Sequence, residues 1–182
     1  MFAFGVPAII LAHEFGHYSY ARICGHQARI RTARTDWTGE FKNKAEQRHF
    51  SVRCALAGPV VELSLATLGS SWLYVYVRRR RRAQPIALAV WPASLCCTAG
   101  FRWFKIALQG STTDEAELSS WLGFHWQTLP LLLLPLSLAY LAVLLYSHFR
   151  LNTWVDLSFG VIGGIAGGLV WLYIAGPALL GG

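Results

Sequence analysis

His13, Glu14 and His17 fall within five residues of one another in the stretch Leu11-Ala12-His13-Glu14-Phe15-Gly16-His17. Residues four apart on a helix share one face a turn apart, so the two imidazoles can bind a single metal ion. The carboxylate beside the first histidine then lies next to water at that metal and can take its proton. Zinc suits the pair, because it binds imidazole nitrogen and brings the pKa of water down to about 7. The chemistry offered by this spacing is metal-assisted hydrolysis of a carbonyl, with His13 and His17 as ligands and Glu14 as general base.

Zinc takes at least one further protein ligand and keeps a position open for water. The chain has 9 Asp and Glu in total, so the candidates are few. Glu40 and Glu46 belong to a polar loop and are expected to be solvated. His26 is a weak candidate by its spacing; the carboxylates to weigh are Asp114, Glu62 and Asp156, and choosing among them requires the elements that carry them.

Hydrophobic residues make up 54% of the 182 positions and charged residues 14%. The latter is well below the roughly 25% of soluble domains, and the apolar residues come in long blocks. Five stretches are long enough to cross about 30 Å of hydrocarbon: Phe2 to Ile23, Phe50 to Val77, Pro85 to Leu108, Leu129 to Phe149 and Leu157 to Leu180. The expected fold is an all-α integral membrane protein of about five transmembrane helices, one domain over residues 1–182. The polar segment 25–49 lies between the first two helices. Its runs Gln27-Ala28-Arg29-Ile30-Arg31 and Trp37-Thr38-Gly39-Glu40-Phe41 alternate in the manner of a small β-hairpin. In this setting the histidine–glutamate cluster sits inside a span, where a charged side chain costs about 2.5 kcal/mol or more. An idle cluster would be expensive there, which favours a metal site.

Alternation of the spans places segments 25–49 and 110–121 on one face, and Arg78 to Arg82 with Arg150 to Asp156 on the other. Of the 16 Lys and Arg, ten lie near ends on the first face and six on the second, so the first face is expected to be cytoplasmic. The acidic run Asp114-Glu115-Ala116-Glu117 suits the positive start of a helix, with Ser111, Thr112 and Thr113 available as caps. It shares its face with the C-terminal end of the first span. Asp114 is therefore the expected third ligand. Glu62, about twelve residues into the second span and level with the histidines, is expected to orient a ligand or to serve as an alternative one. Asp156 lies on the opposite face.

The stretch Leu11-Ala12-His13-Glu14-Phe15-Gly16-His17-Tyr18-Ser19-Tyr20-Ala21-Arg22-Ile23-Cys24-Gly25 resembles the first core helix of the site-2 proteases, and Leu56-Ala57-Gly58-Pro59-Val60-Val61 resembles the opening of their next core helix. The resemblance covers about a third of the chain. It implies that His13 and His17 hold zinc, that Glu14 is the base, and that transmembrane protein substrates are cleaved within the bilayer near its cytoplasmic side. It also implies a polar β-hairpin where segment 25–49 lies, with an edge that can pair with an extended substrate. Glu62 stands where that family usually has Asn, and Asp156-Leu157 is the nearest likeness to its Asp-Gly ligand motif. Gly58 to Glu62 and Thr112 to Glu117 are similar instead to the site pattern of the peptidase domain of AAA-type membrane proteases, whose Asp ligand follows a Thr-rich turn.

The net charge of +7 arises from cations flanking apolar spans, which points to lipid headgroups and orientation and away from nucleic acid. Cys24, Cys54, Cys96 and Cys97 have no C-x-x-C spacing and are expected to pack as small apolar residues. No cleaved leader is expected, since His13 and Glu14 sit inside the first apolar stretch. Gly160, Gly164 and Gly168 form a face for close helix approach, within the chain or in a homo-oligomer. The expected function is zinc-dependent intramembrane proteolysis. The competing one is a catalytically silent membrane subunit that keeps the same fold for assembly.

Overall fold

A computed structural model of the chain describes residues 2–79 and 114–181. Helix α1 spans Phe2–Ile23, and the chain then turns through Gly25 at φ +83° into an antiparallel pair, β1 (Gln27–Ile30) and β2 (Thr35–Thr38). Helix α2 follows over Lys44–Arg78. After the undescribed stretch come α3 (Asp114–Trp121), α4 (Thr128–Leu151) and α5 (Trp154–Val170). The last runs through a π-turn, Trp171–Ala175, into α6 (Gly176–Leu180). The described part is thus mainly helical with one small sheet.

Three helices among the described residues are long and apolar enough to cross a membrane: Lys44–Gly69 in α2, Thr128–Leu151, and Trp154–Leu180. Five were expected from the sequence. The third expected span, 85–108, lies outside the described residues, as do Arg80 to Arg82 and the caps Ser111 to Thr113. The first, α1, has the length at 22 residues, but His13, Glu14, His17, Ser19 and Arg22 replace aliphatic side chains in its second half. The residues that could do chemistry are the ones that take α1 out of the set.

The start of α2 is fixed locally. Asn43 Oδ1 accepts the Glu46 N–H at 2.8 Å, and Glu46 Oε2 accepts the Lys42 N–H at 2.7 Å. This reciprocal cap extends the helix six residues before the expected start at Phe50, and Glu46, which is exposed as expected, supplies one half of it. The hairpin also differs from expectation. Its second strand is 35–38, earlier than the run 37–41, because only residues 31–34 make the turn, closed by Arg31 N–H to Arg34 C=O at 2.8 Å. Arg31 and Arg34 both pair with Asp36 beside that turn.

α1 lies between α2 on one side and α5 on the other, while α2 also meets α3 and α4. Gly16 makes the first approach possible. A Cβ built there would come within 2.5 Å of the Ala57 carbonyl oxygen. On the other side Val6 of α1 packs over Gly164 and Gly168, so the glycine face of α5 receives a helix of its own chain. A small apolar core of Ala21, Phe50 and Cys54, joined by Tyr20, Ala28, Trp37 and Phe41, holds the hairpin onto the ends of α1 and α2.

Folding the hairpin back is the step that shapes the site. A four-residue strand covers about 13 Å, and the helix from Ile23 back to Glu14 covers about the same. The turn at 31–34 therefore reaches the middle of α1. There Trp171 Nε1–H donates to the Thr32 carbonyl at 2.8 Å, joining the hairpin turn to the last helix.

Candidate metal centre

α1 presents His13 and His17 on one face, and both are buried, as are Glu14 and Glu62. Each imidazole is held from behind through Nδ1. His13 Nδ1–H donates to Glu62 Oε2 at 3.0 Å, and His17 Nδ1–H donates to the Cys54 carbonyl at 2.7 Å. With Nδ1 carrying the hydrogen, each ring is left with a lone pair on Nε2.

Those two lone pairs meet each other and a carboxylate. His13 Nε2 lies 3.0 Å from His17 Nε2, and Asp114 Oδ2 lies 2.8 Å from the first and 3.3 Å from the second. Three electron-rich atoms converging in a buried place need shared protons or a cation between them. A tetrahedral zinc site, with ligands at about 2.0–2.1 Å, separates its donors by about 3.3–3.4 Å. The three donor atoms, 2.8–3.3 Å apart, lie slightly closer than that, so the residues present could hold such an ion with little adjustment.

The second helix leaves room for this. A Cβ at Gly58 would lie 2.3 Å from His17 Nε2 and 2.7 Å from His13 Nε2. Only glycine allows α2 to pass that close, which accounts physically for Gly58 in a helix where it otherwise weakens the backbone. Asp114 comes from the first residue of α3 and its side chain is 25% exposed, so among the described residues the open side of the cluster is at Asp114. Burial pushes the Asp114 carboxyl up, but when His13 and His17 also carry a proton on Nε2 their hydrogen bonds and charge outweigh this and hold it well below the usual carboxylate range. It is ionised at neutral pH, as a metal ligand must be.

Compared with protein-family models, curated proteins and solved structures, the chain matches none. The chemistry of the site therefore rests on its own geometry. Of the residues expected from the sequence, His13, His17 and Asp114 are brought together as a group able to hold a metal ion. Glu62 reaches the site through His13 Nδ1, which favours its orienting role. Asp156 does not join them: it stays in the first turn of α5, outside that group.

Three contributors went unread in the sequence. The Cys54 carbonyl is backbone and carries no residue-type signal. Gly58 carries its signal only as a glycine inside a long apolar helix, a sign of close approach. Thr35 Oγ1 lies 2.9 Å from both the Glu14 carbonyl oxygen and Glu14 Oε2, and nothing in its neighbourhood distinguishes it from Thr32 or Thr38.

Proposed function

We propose that this chain is a zinc-dependent metallopeptidase that hydrolyses peptide bonds in or near transmembrane segments of membrane proteins. The observation that carries the reading is the convergence of His13 Nε2, His17 Nε2 and Asp114 Oδ2 within 3.3 Å, with the Glu14 carboxylate on the same helix beside them. Bound zinc supplies Lewis acidity towards the scissile carbonyl and the attacking water. The chain's own residues do the rest. Glu62 and the Cys54 carbonyl keep the imidazoles turned inward. Glu14 accepts a proton from the attacking water and passes it to the departing amine.

Substrate class follows from surroundings. Leu131, Leu132, Phe159 and Ile162 are exposed along α4 and α5, as apolar side chains facing lipid would be. The hairpin beside Glu14 offers backbone hydrogen-bonding groups with which an unwound substrate segment can pair. The distribution of Lys and Arg favours a site opening towards the cytoplasm.

The test compares purified wild type with Glu14→Gln for zinc content and for cleavage of a model transmembrane substrate. Both should carry stoichiometric zinc. The variant should lose cleavage by on the order of a thousandfold, as expected for removal of a general base. Zinc-loaded wild type that cleaves none of a range of transmembrane substrates would overturn the reading in favour of a silent subunit with an assembly role.

A further inference from the structure

Glu14 is 6% exposed, and a general base so placed must be aimed by something. The imidazoles each have a partner behind them, from α2. For Glu14 the corresponding partner comes from the hairpin. The Thr35 hydroxyl lies 2.9 Å from Glu14 Oε2 and 2.9 Å from the Glu14 carbonyl oxygen. A hydroxyl has one proton to donate, so the two acceptors share it. Because both belong to one residue, the contact ties the carboxylate to its own backbone and restricts its rotamer.

The hairpin is itself held at this depth. Thr35 opens β2 and pairs with Ile30. Three residues earlier, the Thr32 carbonyl accepts the Trp171 Nε1–H at 2.8 Å. A Cβ on Gly176 would come within 2.3 Å of Thr32 Cγ2, so the last helix can close on the turn only because Gly176 is glycine. Trp171 is buried and begins the π-turn, a helical irregularity often found where a side chain must be re-aimed.

We propose that Thr35 is a positioning residue for Glu14, and that Trp171, through Thr32, sets the depth at which Thr35 acts. The proposal rests on the metallopeptidase reading. It makes the hairpin part of the reaction machinery: a displacement of the hairpin also releases the base.

The full chain, purified and zinc-loaded, is compared as wild type, Thr35→Val, Thr35→Ser and Trp171→Phe. Two quantities are read: steady-state kinetics on a transmembrane substrate, and the Kd of a small hydroxamate. A hydroxamate chelates zinc and gives its hydroxyl proton to a neighbouring base, so it reports on the carboxylate without turnover. Thr35→Val should lower kcat on the order of tenfold, the loss expected for one hydrogen bond to a charged group, with KM and zinc content unchanged. Its hydroxamate Kd should rise by a similar factor. Thr35→Ser, which keeps the hydroxyl, should restore both. Trp171→Phe should move both in the same direction by a smaller factor.

A Thr35→Val protein with wild-type kcat and wild-type hydroxamate Kd overturns the proposal. So does a loss accompanied by lower zinc content that serine fails to rescue, because that outcome assigns Thr35 to folding. Failure of the parent reading looks different: wild type binds zinc and hydroxamate and cleaves nothing. In that case the Kd comparison still decides whether Thr35 aims Glu14.

Discussion

The described residues bury histidine in two places, and a threonine and an aspartate lie near each. At one, His13 and His17 are accompanied by Glu62, Asp114 and Thr35. At the other, His148 near the end of α4 donates through Nδ1 to the Thr153 carbonyl at 3.0 Å and lies 2.8 Å from Thr153 Oγ1, with Asp156 just beyond. His148 Nε2 is buried and has no hydrogen-bond partner among the described residues. The difference lies in where the partners come from. His148 is served by Thr153, five residues away, and the contact closes the turn between two helices. His13 is served by residues 49 and 101 positions away, on two other elements. Local contacts of the first kind shape a turn. Only the second kind can gather several lone pairs at a point, and convergence of lone pairs is what a metal requires.

Substitutions can break this comparison, and the largest effect is expected at the histidines. His17→Ala should abolish stoichiometric zinc and all cleavage, while His148→Ala should keep its zinc and lose only stability. Metal analysis after dialysis of both proteins checks this, and equal zinc in the two would erase the distinction. The carboxylates come next. Asp114→Asn should weaken zinc binding by more than the roughly 100-fold typical of supporting residues, because a ligand atom is lost. Asp156→Asn should leave affinity unchanged. Competition with a chelator of known affinity measures both. The smallest effect is expected at Glu62→Gln, which keeps a hydrogen-bond acceptor for His13 Nδ1 but loses its charge. A fall of about 10-fold in zinc affinity, at the low end for such partners, is expected with the fold intact. An effect as large as that of Asp114→Asn would make Glu62 a ligand and reverse the two carboxylate assignments.

Much of the helical content was legible in advance. Apolar blocks mark α2, α4 and α5 because a bilayer-length helix needs a long uninterrupted run, and such runs survive any packing arrangement. The hairpin was legible as a polar alternating segment, but its register was not: Thr35 to Thr38 pair with Gln27 to Ile30 because of a tight turn closed by Arg31 and Arg34, which the alternation alone does not locate. The length of α2 was underread because its start depends on side-chain capping by Asn43 and Glu46 and not on hydropathy.

The sequence by itself determined the pair His13 and His17 with Glu14 between them, since helical spacing alone puts two imidazoles on one face. It also made Asp114 the best third partner, through a count of spans that treated α1 as a span on length alone. What the tertiary structure decided is everything at close range. Glu62 stands behind His13, the Cys54 carbonyl stands behind His17, and Gly58 clears the space between them. The hairpin folds back by about half the length of α1 to bring Thr35 to Glu14. These depend on distances of about 3 Å between groups far apart in the chain, and hydrogen bonds are too short-ranged for residue type and spacing to specify them.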